Sequence, residues 1–255
     1  MRCGEIAERL DERLRTDEYA DVDASANGLQ VGPADRDIAR VAVAVDTAVS
    51  TIEQAESAQA DLLVAHHGIS WGGIDRVTGT AYRRLAPLID DGMALYVSHL
   101  PLDGHQRLGN AAGLAELLEL QNTEPFGELG PVHVGQRGHA PDAYSVDALH
   151  NLLAGELPHG GEGVQVLDFG PNKIEDIAIV TGSGVDWLEE AAESGADAFV
   201  TGEGKQKAYH LAKEHGIHVF LAGHYATETF GVKSLQDLLE GWGLKTTFIH
   251  EPTGL

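Results

Sequence analysis

The chain has 255 residues, of which 40 are acidic and 17 are basic, so its formal charge is −23. Apolar residues make up 43% of the sequence, which is enough for a hydrophobic core, so the charge does not indicate disorder. Lys and Arg form no run, so we expect no binding to nucleic acid, and the single cysteine, Cys3, excludes a disulfide framework and a thiolate zinc cluster.

Hydrophobic periodicity predicts alternating helices and strands in the first half of the chain. The predicted elements are a helix over residues 5–15, a strand over 38–45, a helix over 48–59, a strand over 62–65, a helix over 80–90 and a strand over 94–98. The strand over 38–45 is a β-branched apolar run, which is typical of a parallel strand buried on both faces. The alternation indicates α/β architecture with a largely parallel sheet.

An internal repeat organises the sequence. Residues 38–68 align without a gap with residues 174–204, with nine identical positions. An ungapped match through both turns favours duplication over shared patterning alone. Residues 121–145, rich in Gly, Pro and polar residues, mark the expected boundary between the copies. We therefore expect an N-terminal half over residues 1–125 and a C-terminal half over residues 126–255.

His66 and His67 follow a predicted buried strand, and ligands gather at this edge of parallel sheets. Adjacent side chains of a regular strand point to opposite faces. The sequence therefore leaves two possibilities: the chain already turns at this pair, or the two histidines serve different metals.

A His-x-x-x-acid pattern occurs at matching places in the repeat, as His99 with Asp103 and as His224 with Glu228. Pro101 makes an intact helix between His99 and Asp103 unexpected. A helix predicted to follow His224 would put this histidine and Glu228 on one face, because they are four residues apart.

Five or six nitrogen and oxygen ligands exceed what one tetrahedral zinc needs. They suit two divalent metal ions about 3.5–4 Å apart, bridged by a carboxylate and a water. Zn, Fe, Mn, Co and Ni all accept such ligands, so the metal stays open. His99 fits three roles, a ligand, a hydrogen-bond partner of a ligand or a proton shuttle, and we favour the second.

Three motifs resemble signatures of the Nif-three-like family, also known as GTP cyclohydrolase I type 2-like dinuclear-metal proteins. They are His66-His67-Gly68, Ser98-His99-Leu100-Pro101-Leu102-Asp103 with Gly109-Asn110, and Ala222-Gly223-His224-Tyr225-Ala226-Thr227-Glu228. Two further stretches resemble its N-terminal and late strand-end motifs, namely Asn27-Gly28-Leu29-Gln30-Val31-Gly32 and Thr201-Gly202-Glu203. The resemblance covers nearly the whole chain.

The resemblance implies a duplicated three-layer α/β fold with largely parallel sheets, two pseudo-symmetric halves around a metal cleft, and homohexamers built as a trimer of dimers. The family's metal ligands fall on the same five residues that spacing proposes, His66, His67, Asp103, His224 and Glu228. Gly68 departs from the pattern, because many members carry proline there.

Gly202-Glu203 occupies the place of His66-His67 in the repeat. Glu203 is therefore a candidate general base or a partner of a metal ligand, and the alternative is a solvated acid at the start of a helix. We expect Glu203 or His99 to move protons. Gly182-Ser183-Gly184 is interpreted as a tight turn, because it lacks the other residues of a phosphate-binding loop.

The first functional hypothesis is a metal-dependent hydrolase acting on a nucleotide or another phosphate-containing small molecule, as the GTP cyclohydrolase label of the family suggests. The alternative is a metal (iron) chaperone or delivery protein without hydrolytic turnover, which would use the same ligands. A scaffold or regulatory protein is a third possibility. Retained metal with saturable turnover would favour catalysis, whereas readily released iron would favour delivery.

No apolar run approaches the roughly 18 residues that a membrane span needs, and the N-terminal residues lack the apolar segment of a signal peptide. We therefore expect a cytoplasmic protein that does not contact membranes. Many carboxylates beside only six lysines are typical of proteins that work in very high salt, so we expect a halophilic source.

Overall fold

A computed structural model describes residues 1–74, 76–161 and 163–255 of the chain. The described residues form two compact units. The first comprises Met1–Leu102 and Gly231–Glu251, and the second comprises Asp103–Phe230 and Pro252–Leu255. The predicted α/β fold is confirmed, because each unit combines a sheet with helices.

The first unit contains one mixed sheet, and all elements are numbered along the chain. Its strands are β1 (Gly28–Val31), β2 (Arg40–Asp46), β3 (Leu62–His67), β4 (Ala94–Val97) and β11 (Lys245–Phe248). Its helices are α1 (Cys3–Leu14), a 3₁₀ helix (Thr16–Tyr19), α2 (Val49–Ser57) and α3 (Gly79–Asp90). The strand order is β1-β4-β3-β2-β11, with parallel pairing from β4 to β11 and antiparallel pairing at β1.

The second unit contains a larger mixed sheet. Its strands are β5 (Gln121–Leu129), β6 (Val132–Tyr144), β7 (Gln165–Leu167), β8 (Ile174–Ile179), β9 (Ala198–Thr201) and β10 (His218–Leu221). Its helices are α5 (Asn110–Leu117), α6 (Val146–Glu156), a 3₁₀ helix (Gly184–Trp187), α7 (Leu188–Glu193), α8 (Gln206–His215) and α9 (His224–Thr227). The strand order is β5-β6-β8-β9-β10-β7. Two further helices, α4 (Leu100–Gly104) and α10 (Thr229–Gly241), each contain a boundary between the units.

The apolar patterns seen in the sequence form the cores of these units. Ile6, Leu10 and Leu14, spaced four apart on α1, are all buried. Five consecutive residues of β2 are buried, as expected for a strand covered on both faces. In the described parts of the chain, no helix combines the length and apolar character needed to cross a bilayer.

The segment 121–145, expected to mark the boundary between the copies, belongs to the sheet of the second unit. It forms the antiparallel hairpin β5–β6, and β6 continues the sheet through β8. The glycine content of the segment does not indicate a boundary, as Gly135 illustrates. A Cβ atom at Gly135 would overlap the carbonyl oxygen of Ile179 on the next strand. The glycine therefore marks close approach between strands. A division after residue 125 also runs through β5, and β11 returns to the first sheet beside β2.

The two copies of the repeat share their strand register. Val41 of β2 pairs with Leu62 of β3, and the aligned residues Ile177 of β8 and Ala198 of β9 form the same pair. The register between β3 and β4 is likewise repeated between β9 and β10. In each unit an antiparallel strand flanks this trio, β1 beside β4 and β7 beside β10. The shared geometry supports the duplication inferred from the sequence.

One carboxylate in each copy binds the start of a neighbouring strand. Asp61 accepts hydrogen bonds from the backbone N–H groups of Ala39 and Arg40 at 2.9 and 3.0 Å. Its aligned partner, Asp197, accepts from the two aligned N–H groups at 2.8 and 3.0 Å. Asp61 also binds the Arg36 guanidinium at 3.1 Å. Burial alone would raise the pKa of Asp61, but these donors outweigh it and lower that pKa below its ordinary value.

We expect D61N to lower the free energy of unfolding by about 1–3 kcal/mol at neutral pH, because a charged acceptor of several donors is lost. The lowered folded-state pKa means that this contribution is complete above the ordinary Asp pKa of 3.8 and is lost as the pH falls through the folded value. Denaturant unfolding at fixed salt between neutral pH and acid should therefore show the difference between D61N and the parent shrinking below about pH 4.

D90N is the control, because Asp90 is exposed at the end of α3. It should change stability by no more than about 0.5 kcal/mol. An equal loss in D61N and D90N, or a D61N deficit that grows towards acid pH, would contradict the role given to Asp61.

Candidate metal centre

His66 and His67 end β3, where the sequence left open whether the two rings could reach one ion. Their ring centroids lie 4.6 Å apart, and the His99 ring, just after β4, lies 5.2 and 5.7 Å from them. One ring nitrogen from each of the three side chains lies within 4.8 Å of the other two. Both histidines belong to β3, so the chain does not turn at this pair. Their rings nevertheless approach each other, and together with His99 they form a group that could hold a metal ion.

Each of these imidazoles is bonded through Nδ1 to an oxygen acceptor. His66 Nδ1 donates to the carbonyl of Ser98 at 2.9 Å, and His67 Nδ1 donates to Asp46 at 2.8 Å. Such bonds fix the tautomer, so Nε2 carries the lone pair that a metal needs. Asp46 ends β2 directly opposite His67 in the parallel register.

His99 is held by a carboxylate that the sequence reading missed. Its Nδ1 donates to Asp23 at 2.9 Å, and its backbone N–H donates to the side chain of Asn27 at 2.8 Å. Asp23 also accepts from the backbone of Ser25 and Leu100. Burial raises the pKa of Asp23, but the His99 bond and the other donors outweigh this and lower it overall. Asn27 is thus a positioning residue for His99.

Asp103 lies in the short helix α4, so the expectation that Pro101 prevents a helix is wrong. Pro101 occupies the first turn, where a helix does not need its N–H group. Asp103 is 7% exposed, and one of its oxygens accepts from Asn110 at 2.8 Å and from Thr181 at 3.2 Å. Those bonds hold the carboxylate in one orientation.

His224 and Glu228 contact each other as their spacing predicts. His224 Nε2 lies 3.2 Å from Glu228 Oε1, and Glu228 is 3% exposed. The helix is not continuous, because α9 ends at Thr227 and Glu228 precedes α10. Glu203 lies 3.4 Å from His224 Nδ1 and accepts a hydrogen bond from Ser183. Glu203 therefore contacts a candidate ligand.

The carboxylates around His224 control its protonation. Burial alone would lower the pKa of His224, but Glu228 and then Glu203 outweigh it and raise that pKa to about 9. Without a cation, the imidazole therefore carries a proton at neutral pH. The backbone N–H of His224 donates to the carbonyl of Leu255 at 2.6 Å, which fixes the start of α9.

Gly182 provides the space for the carboxylate of Glu228. It adopts φ +60°, and a Cβ atom there would overlap Glu228 Oε1 and lie 3.1 Å from His224 Nε2. Its carbonyl accepts the N–H groups of Gly202 and Glu203 at 2.9 and 3.0 Å. The turn predicted at 182–184 is present, and its role in this structure is to pack against candidate ligands.

The sequence-predicted residues thus form two clusters, each within one unit. His66, His67 and His99 converge in the first unit, and His224 contacts Glu228 and Glu203 in the second, where Asp103 is also buried. Sequence reasoning missed Asp23 and Asp46. Asp46 could have been identified from the sequence, because it ends the predicted parallel strand that precedes the strand ending in His67. Parallel pairing then places the two residues side by side.

The fold and the site define a class of protein: a two-unit α/β protein with histidines and carboxylates at the ends of its strands. The model of the Duf34/NIF3 (NGG1p interacting factor 3) family matches residues 1–253. The chain belongs to this family.

Curated relatives and solved structures match over the full chain. A GTP cyclohydrolase 1 type 2 homolog of Halobacterium salinarum is 54% identical and one of Pyrococcus abyssi is 42% identical, each with 100% of both chains covered. Among structures, TTHA1606 from Thermus thermophilus has 36% identity and a TM-score of 0.90, and protein ybgI, of unknown function, has 30% and 0.91, again with full coverage of both chains. Reduced HcgD from Methanocaldococcus jannaschii has 27% identity and a TM-score of 0.85, with 98% of both chains covered.

We expect G182A to weaken metal uptake, because the new methyl group displaces Glu228 and His224 from each other. Binding of Zn²⁺ or Mn²⁺, measured by calorimetry, should fall about 10- to 100-fold. Stability should also fall by about 1–2 kcal/mol from the left-handed backbone.

G195A is the matched control. Gly195 has φ +83°, and a Cβ atom there would meet nothing within 4 Å. It should show the backbone cost of about 1–2 kcal/mol without the loss of metal affinity. Equal metal binding in the two variants would contradict the packing role assigned to Gly182.

Proposed function

We propose that this protein binds two divalent metal ions through His66, His67, Asp103, His224 and Glu228 and is a metal-dependent hydrolase. The substrate class proposed is a nucleotide or another phosphate-containing small molecule. The observation that carries the metal part is the orientation of the imidazoles: His66 and His67 each bond through Nδ1 to an oxygen, which is how metal-binding histidines are held.

The donor chemistry fits hard or borderline divalent cations. The proposed ligands are imidazole nitrogens and carboxylate oxygens, which suit Zn, Fe, Mn, Co and Ni. Two buried carboxylates, of Asp103 and Glu228, are costly in a low-dielectric environment unless positive charge compensates them. The raised pKa of His224 has the same origin, and a cation would replace that proton.

The chemistry expected of such ions is general for two-metal hydrolases. When bound, they would polarise a phosphoryl or carbonyl oxygen and make water acidic enough to act as a nucleophile near neutral pH. The chain's own residues would then move protons. We assign this role to Glu203, half-exposed beside His224, and to His99, whose Nδ1 donates to Asp23.

The names of the curated relatives support a cyclohydrolase-like reaction only by analogy. They are GTP cyclohydrolase 1 type 2 homologs. We propose a homohexamer from the family resemblance, a cytoplasmic location from the single cysteine, which suits a reducing compartment, and adaptation to high salt from the acid excess.

The test compares two ligand pairs with a control histidine. Purified H66A/H67A and H224A/E228A should each retain fewer ions than the parent, measured by elemental analysis. Both should lose at least about a hundredfold of the turnover seen on a panel of nucleotides and phosphate esters. H139A should keep metal and turnover, because His139 is exposed and pairs with Asp176, and neither residue belongs to a candidate metal group among the described residues.

Three results would count against the proposal in different ways. Unchanged metal content in both double variants would exclude the ligand assignment. Turnover that survives both would exclude metal-dependent hydrolysis. Metal that is retained by the parent without turnover on any substrate, and that is released to an acceptor protein, would favour delivery over catalysis.

A further inference from the structure

Trp71 is an exposed aromatic side chain beside the histidine cluster. It follows β3 by four residues and is 44% exposed, whereas the other two tryptophans, Trp187 and Trp242, are only partly exposed. Trp187 donates to a backbone carbonyl, and the Arg9 guanidinium covers the Trp242 ring at 3.9 Å. Trp71 therefore keeps much of its indole surface open to solvent.

The indole is fixed in place. Its Nε1–H donates to the carbonyl of Gly68 at 3.2 Å. The loop that carries it is bonded on both sides, because the Ser70 carbonyl accepts from Ala26 and the Gly72 N–H donates to Ala24. Gln30 further accepts the N–H of Ile69 at 3.0 Å. These hydrogen bonds therefore fix the position of the indole ring and keep it exposed.

The indole stands next to the candidate metal ligands. Its centroid lies 4.8 Å from the His99 ring at an interplanar angle of 79°, and 6.1 Å from the His67 ring. The side chains of His99 and His67 are 21% and 19% exposed, so a small molecule can reach both from solvent. The arrangement thus combines a rigid π surface with imidazoles on one side of it.

We propose that Trp71 stacks against a planar heteroaromatic ring of the molecule that reacts at the histidine cluster, so that the substrate class is a heterocyclic phosphate and not a simple phosphate ester. The inference rests on the proposed function for the location of the reaction. Every nucleobase presents a π face, and stacking of this kind is tolerant of ring identity. Trp71 would therefore select for a ring without selecting a particular base.

The test uses two probes that share a ribose 5-phosphate unit, guanosine 5′-monophosphate and ribose 5-phosphate, of which only the first carries a heteroaromatic base. Calorimetry on the metal-loaded parent should give a dissociation constant at least about tenfold lower for the nucleotide. W71L keeps apolar bulk but has no π surface, so the ratio of its dissociation constants for the two probes should approach one. W71F should restore most of the preference, and I74A, an exposed apolar change in the same loop, should leave the ratio unchanged.

Equal affinity of the parent for both probes would overturn the proposal, as would an unchanged ratio in W71L. A W71L variant that loses its oligomeric mass by light scattering while keeping the ring preference would show that Trp71 serves contact between copies instead. Turnover and metal content are measured on the same preparations. Ring preference without turnover would remove the hydrolase proposal alone, and turnover without ring preference would remove the stacking proposal alone.

Discussion

Parallel pairing of β2, β3 and β4 places the carboxyl ends of three strands along one edge of the first sheet, and the candidate site in that unit depends on it. Asp46, His67 and the residues after Val97 emerge side by side because the register is parallel and unbroken. In an antiparallel arrangement these side chains would leave opposite edges. The hydrogen bond between Asp46 and His67 and the contact between the His66 and His99 rings follow from this geometry.

The second copy keeps the same strand register but distributes the polar groups differently. The position of Asp46 is occupied by Gly182, and that of His67 by Glu203. The change from carboxylate to glycine opens the space that Glu228 fills, and the change from imidazole to carboxylate puts Glu203 beside His224. A duplicated framework therefore carries two clusters of different composition, with imidazoles dominating in one and carboxylates in the other. This difference explains why, without a bound cation, the carboxylates of Glu228 and Glu203 raise the pKa of His224 to about 9.

The sequence predicted the features that have local or periodic signals. Apolar runs located β2 and β3, and a spacing of four predicted the contact between His224 and Glu228. The repeat predicted a duplication, which the shared strand register of the two sheets supports. Prediction from the sequence failed where the same residue type is compatible with two different local structures. Gly135 belongs to a strand because a neighbouring strand approaches it, which no local pattern records, and Pro101 is compatible with α4 only because of its place in the first turn. Asp23 was missed because its link to His99 spans 76 residues.

The segment from Asp23 to Gln30 connects the two features on which the proposed chemistry relies. Asp23 and Asn27 orient His99, and Ala24, Ala26 and Gln30 hold the loop that carries Trp71. Neither the imidazole nor the indole is fixed by its own strand, since both lie beyond the strand ends. The end of this segment forms most of β1, an edge strand that pairs antiparallel with β4. The segment is therefore anchored to β4 and not to the parallel strands β2 and β3. A single short segment thus sets the distance between His99 and Trp71. A ligand that contacts both residues would therefore bind to one rigid surface.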